Sequence, residues 1–127
     1  MYSFAYPFIG KALDIIERLK QEGDSSVDLV ISADTIVVCD DKILEKPSCD
    51  DSARSMLKML SGRTHEVKTS CTIGYKMKTD EYKIHNFCET TKVKFAELTD
   101  ETIADYVASK EPLDKAGSYG IQGLGRY

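Results

Sequence analysis

The chain has 127 residues, 42% of them hydrophobic and 30% charged, which suits one ordinary globular domain and excludes a disordered or membrane-spanning class. A formal charge of −4 without a basic cluster argues against binding long nucleic acid, which needs many Lys/Arg–phosphate contacts, but leaves room for a nucleotide, which needs only a few placed cations. No apolar run is long enough to cross a bilayer, and Met1 to Lys11 lacks the parts of a secretory signal, so the expectation is a soluble, cytoplasmic protein with no membrane partner.

Pro7, Phe8, Ile9, Ala12, Leu13, Ile16 and Leu19 recur at helical spacing with charged residues between them, and Gly23 stops the pattern. The apolar run from Val27 to Cys39 predicts extended chain with an interruption at Asp34. Asp40-Asp41 turns it into a short Ile43-Leu44 strand. A second amphipathic helix spans Asp50 to Ser61 with Ala53, Met56, Leu57 and Leu60 on one face, capped by Asp50, Asp51 or Ser52 and closed by Gly62. Strict alternation from His65 to Met77, a turn at Thr79-Asp80-Glu81 and extended chain from Tyr82 to Leu98 predict a long antiparallel hairpin. Thr99 or Asp100 caps a third helix with Ile103, Tyr106 and Val107 inward. After Pro112 the glycine-rich remainder reads as loop or short strand.

Cys39, Cys49, Cys71 and Cys88 form no Cys-x-x-Cys pair, so reduced thiols are expected rather than a zinc or redox motif. His85 and Cys88, three apart on a strand, point to opposite faces, which is poor geometry for a shared metal. His65 reads as a surface or turn-proximal strand residue.

Two places carry candidate chemistry. Asp34 interrupts an apolar run, and an ionised carboxylate taken out of water must be hydrogen-bonded, paired or cation-bound; either a pocket forms at Ala33-Asp34-Thr35, or Asp34 simply ends a strand and opens a turn. The segment Asp114 to Gly125 has closely spaced glycines that let backbone approach a ligand, with Lys115 available for a phosphate. It matches neither the P-loop nor the dinucleotide-binding pattern, and glycine-rich surface turns with a lysine are common.

Four segments in order resemble the motif series of the Maf family: Ile31-Ser32-Ala33-Asp34-Thr35, Ile43-Leu44-Glu45-Lys46-Pro47, Met56 to Val67, and Glu111 to Gly123. The stretch Glu89 to Leu98 is most similar to the eukaryotic version, the Maf-like domain of acetylserotonin O-methyltransferase-like proteins. The resemblance implies an α/β fold, a curved mixed sheet with flanking helices in the two-lobed architecture shared with inosine triphosphatases, here as one partial domain over residues 1–127. It implies a nucleoside triphosphate pyrophosphatase that cleaves dTTP or UTP between the α- and β-phosphates with a divalent cation, Mg²⁺ or Mn²⁺. Asp34 matches the family's proton acceptor and is also the expected metal ligand. Lys46 and Lys115 match lysines that neutralise triphosphate charge, and Lys11 corresponds to a further family lysine on the early helix. Thr35 and Gln122 match positions of base selection, where the Gln122 amide can donate and accept together.

Two departures qualify the resemblance. Met1 to Phe8 replaces the family's Ser-x-Ser-Pro-Arg-Arg loop, and the chain ends just after the glycine-rich motif, so it reads as a middle piece of the fold. The runner-up expectation is therefore a catalytically weak nucleotide-binding or regulatory paralogue. Exposed sheet edges make a homodimer the expected protein partnership.

Overall fold

Tyr6–Glu22 form helix α1, which Gly23 ends in the left-handed conformation at φ +66. The computed structural model describes residues 6–127, with side chains from residue 10 onward, so Phe8, Ile9 and the Met1–Phe8 replacement of the arginine-bearing loop lie outside the described side chains. β1 (Leu29–Cys39) follows, then a tight reversal in which Asp40 and Asp41 both take positive φ, then β2 (Lys42–Leu44). Such a two-residue turn matches the twist of an antiparallel pair and fixes the register Cys39↔Lys42, Val38↔Ile43 and Val37↔Leu44. Helix α2 (Asp50–Leu60) leads to β3 (Thr64–Lys76), β4 (Tyr82–Lys94) and helix α3 (Asp100–Ala108). Three short 3-10 turns complete the chain where loop or short strand was expected.

The strand order is β2-β1-β3-β4. The α/β class, with a sheet flanked by helices, is as expected. The four strands run antiparallel, so the parallel pairing of a mixed sheet does not occur among the described residues. The β3–β4 hairpin is bracketed by Met77 N–H donating to Glu81 O at 2.6 Å and Phe95 N–H donating to Arg63 O at 3.0 Å. β1 is unbroken through Asp34, contrary to the predicted interruption, because alternation places Ser32 and Asp34 on the same face as buried Val30 and the strand has no need to turn.

The chain divides into two compact units, each built from two segments. In the first, Met1–Asp34 with Thr69–Glu89, α1 buries Ala12 and Ile16 against Val30, with Leu19, Val27 and Tyr82 around them. Close approach requires Gly74 there, since a Cβ would lie 2.6 Å from Ile16 Cδ1. Beside this apolar contact Ser70 and Thr72, both buried, donate to Asn86 Oδ1 at 3.2 and 3.0 Å.

In the second unit, Thr35–Lys68 with Thr90–Tyr127, Val37, Cys39, Leu44 and Leu60 form one apolar cluster and Ala53, Leu57, Ile103 and Val107 another. The N-cap of α2 is Cys49 rather than Asp50, Asp51 or Ser52: Cys49 N–H donates to Ser52 Oγ at 3.0 Å. Thr99 caps α3 as expected, its hydroxyl oxygen accepting from Thr102 N–H at 3.1 Å. All four cysteines are free thiols. Among the described residues no helix is long and apolar enough to cross a membrane.

Candidate functional site

Asp34 lies in mid-strand, so the alternative that it opens a turn is excluded. Its face of β1 is the one that α1 covers, and Lys11, one residue before buried Ala12, reaches it with Nζ 2.6 Å from Oδ2. The pair is not deeply buried, the side chains being 62% and 39% exposed, so its contribution to stability is only ~0–1 kcal/mol. Asp34 thus sits partly exposed in an otherwise mostly apolar strand, paired to Lys11. Thr35, the next residue, is exposed and by strand alternation points away from Asp34.

The second unit holds the other sequence-predicted residues. Gly117 N–H donates to Glu45 O at 3.2 Å, which ties the glycine-rich segment to the residue before exposed Lys46. Lys115 Nζ pairs with Asp114 Oδ1 at 2.9 Å, and the hydrogen bond and charge of Lys115, with a smaller effect from Lys46, hold the Asp114 carboxyl below its usual range. The Gly117–Glu45 hydrogen bond thus brings the segments that carry Lys115 and Lys46 together. The Lys115 stem crosses Gly120, where a Cβ would lie 2.6 Å from Cε. Gln122 is exposed in the turn closed by Gly123 N–H on Gly120 O at 3.3 Å.

Sequence reading missed Tyr106 and Glu111 as parts of this loop. Tyr106 Oη donates to Glu111 Oε1 at 2.9 Å, and the pair receives backbone N–H groups from Gly120, Leu124 and Gly125. Burial pushes the Tyr106 hydroxyl up to about 12, and the Leu124 N–H holds the Glu111 carboxyl below its usual range. The available signal was the glycine cluster itself, whose backbone donors need acceptors outside any ladder. The same unit has a cavity of about 350 Å³ lined by Leu57, Phe95, Leu98, Ile103, Tyr106 and Leu124 among others. None of Lys46, Lys115 and Gln122 lines it.

His65 is a strand residue, but buried rather than at the surface, with Nε2 2.7 Å from the Tyr119 hydroxyl. Among the described residues no three His, Cys, Asp or Glu side chains gather as a metal cage.

The model of the Maf-like protein family matches residues 9–127. The chain belongs to the Maf-like protein family. It is 56% identical over 102 residues to a dTTP/UTP pyrophosphatase of Bacillus cereus (strain B4264), an alignment covering 80% of this chain and 51% of that protein. It is 44% identical over 117 residues to a dTTP/UTP pyrophosphatase of Clostridium botulinum (strain Eklund 17B / Type B), covering 92% of this chain and 58% of the relative. The chain therefore spans about half the length of the curated relatives it matches. Family membership accounts for the four ordered motifs, with the Ala33-Asp34-Thr35 step in β1 and the Glu111 to Gly123 segment in the turns after α3.

Proposed function

We propose that this Maf-like chain acts on pyrimidine nucleoside triphosphates of the dTTP and UTP type, cleaving the bond between the α- and β-phosphates to release the monophosphate and pyrophosphate. The observation that carries the reading is the 56% identity over 102 residues to a protein named dTTP/UTP pyrophosphatase. In this reading Asp34 takes the proton of the attacking water and Lys11 orients its carboxylate. Lys46 and Lys115 neutralise charge on the phosphoryl oxygens, and Gln122, with Thr35, reads the base edge.

A divalent cation, Mg²⁺ or Mn²⁺, fits these residues: Asp34 offers one hard, partly exposed carboxylate, and the lack of a three-residue cage among the described residues suits an ion held mainly by substrate phosphates and water. When bound, it supplies charge neutralisation on the triphosphate. Kinship with the eukaryotic form belongs to the same proposal and rests on Glu89 to Leu98. We also propose self-association through the outer strand β4, a 13-residue edge, testable by light scattering across a concentration series.

The test is pyrophosphate release from a panel of nucleoside triphosphates with Mg²⁺ or Mn²⁺, comparing the chain with Asp34→Asn. Turnover of UTP or dTTP that falls by ~10²–10⁴ in the variant is expected, the usual contribution of a general base. Undiminished turnover by the variant would remove Asp34 from the chemistry. The second reading is nucleotide binding with weak turnover. Under that reading UTP raises the melting temperature of a chain that releases no pyrophosphate.

A further inference from the structure

The turn carrying Gln122 is tied down on both sides. Before it, Gly120 N–H donates to Tyr106 Oη at 3.1 Å. After it, Leu124 N–H donates to Glu111 Oε2 at 3.0 Å and Gly125 N–H to Glu111 Oε1 at 3.4 Å. Because Tyr106 Oη itself donates to Glu111 Oε1, the two anchors are one hydrogen-bonded pair, set on α3 and on the 3-10 turn Glu111–Asp114 that follows it. That turn is seated by Pro112, which is buried.

The glycines identify what the loop is built around. Gly120, Gly123 and Gly125 do not take positive φ, so conformational freedom is not why they are there. Clearance is. A Cβ on Gly123 would lie 2.3 to 2.6 Å from the Glu111 carboxylate, and a Cβ on Gly125 would lie 2.8 Å from Tyr106 Oη. Each of these side-chain ends is flexible in isolation, but here it is pinned by the hydrogen bonds just described, and moving it would release the backbone. Gly120-Ile121-Gln122-Gly123-Leu124-Gly125 therefore reads as backbone wrapped closely over a Tyr–Glu clamp.

We propose that Tyr106 and Glu111 are positioning residues for base selection: they fix the turn so that the Gln122 amide presents its donor and acceptor at set places to a pyrimidine edge. The inference rests on the proposed role of Gln122 in a UTP- or dTTP-directed site. An amide reads a base edge selectively only from a set position, and a fixed backbone turn sets where the Gln122 side chain begins, whereas a loose loop lets it wander. Neither residue touches the reacting phosphates in this scheme, so loss of the clamp changes which base is preferred while the chemical step is kept.

The experiment compares the chain with Tyr106→Phe, Glu111→Gln and Gly123→Ala, the last displacing the carboxylate without altering it. Backbone amide exchange at Gly120, Leu124 and Gly125 reads the clamp directly. Pyrophosphate release from UTP and CTP reads its consequence. Exchange accelerates at Leu124 and Gly125 in Glu111→Gln and Gly123→Ala, and at Gly120 in Tyr106→Phe. The UTP-over-CTP preference in kcat/KM falls by about tenfold, through KM, with kcat for UTP held within about threefold. Unchanged exchange in all three variants would overturn the clamp. Faster exchange with the UTP preference intact would make it purely structural and overturn the positioning role. A parent chain that neither cleaves nor is stabilised by any triphosphate would overturn the proposed function itself, an outcome distinct from both.

Discussion

His65 shows how burial turns an ordinary strand residue into a pH-sensitive one. Its ring is 2% exposed, stands edge-on to Phe95 with centroids 5.0 Å apart, and meets the Tyr119 hydroxyl through Nε2, while Nδ1 is buried with no partner among the described residues. Burial pushes its pKa below the ordinary 6.5. The folded state thus favours neutral imidazole and the unfolded chain accepts a proton more readily. The stabilisation is complete above pH 6.5 and is lost as pH falls from there through the folded-state value. Melting temperature is expected to hold steady from neutral to mildly alkaline pH and to decline below 6.5, and His65→Gln flattens that decline. Parallel melting curves for the two proteins across this range would show that His65 is not the group responsible. Glu111 acts in a lower window: its carboxyl is held below the usual 4.5, so its contribution is present above that value and is lost as pH falls through the folded one.

Among the elements, the segment after α3 carries the tightest constraint. Gly117 has φ +70, and a Cβ there would lie 2.7 Å from Val37 Cγ2 and 2.9 Å from Val37 Cβ, in the middle of a buried cluster. Gly117→Ala combines a left-handed backbone with overpacking and is expected to cost about 2–4 kcal/mol. Thr99→Ala, which removes the α3 cap, should cost about 1 kcal/mol. Urea unfolding of both variants checks the order, and a Thr99 loss larger than the Gly117 loss would contradict this account of the packing. The same contrast explains what could be read beforehand. Helices α1 and α2 and the β3–β4 hairpin announce themselves through period, and Asp40-Asp41 through turn chemistry. The 3-10 turns have no period to detect. His65 is the turn-proximal strand residue expected, but its burial was not legible because alternation assigns residues to faces without saying which face is covered. The clamp was invisible because Tyr106 reads as apolar stripe and Glu111 as part of a motif, while their partners are backbone N–H groups that every sequence possesses.

For the whole molecule, the residues named for the proposed function fall in both compact units. Asp34 and Lys11 belong to the first, and Lys46, Lys115 and Gln122 to the second, although β1 carries the chain from one to the other between Asp34 and Thr35. Motif resemblance named these residues together because it orders them along the chain; it contains no distances. Ligand binding stabilises whatever it touches in proportion to RT ln(1 + [L]/Kd), so slowed amide exchange reports on each unit by itself. UTP with Mg²⁺, added to the Asp34→Asn chain to slow its consumption, is expected to slow exchange from Lys115 to Gln122, and to do so more than CTP does. Equal protection by the two nucleotides, or none, would remove base selection from that segment.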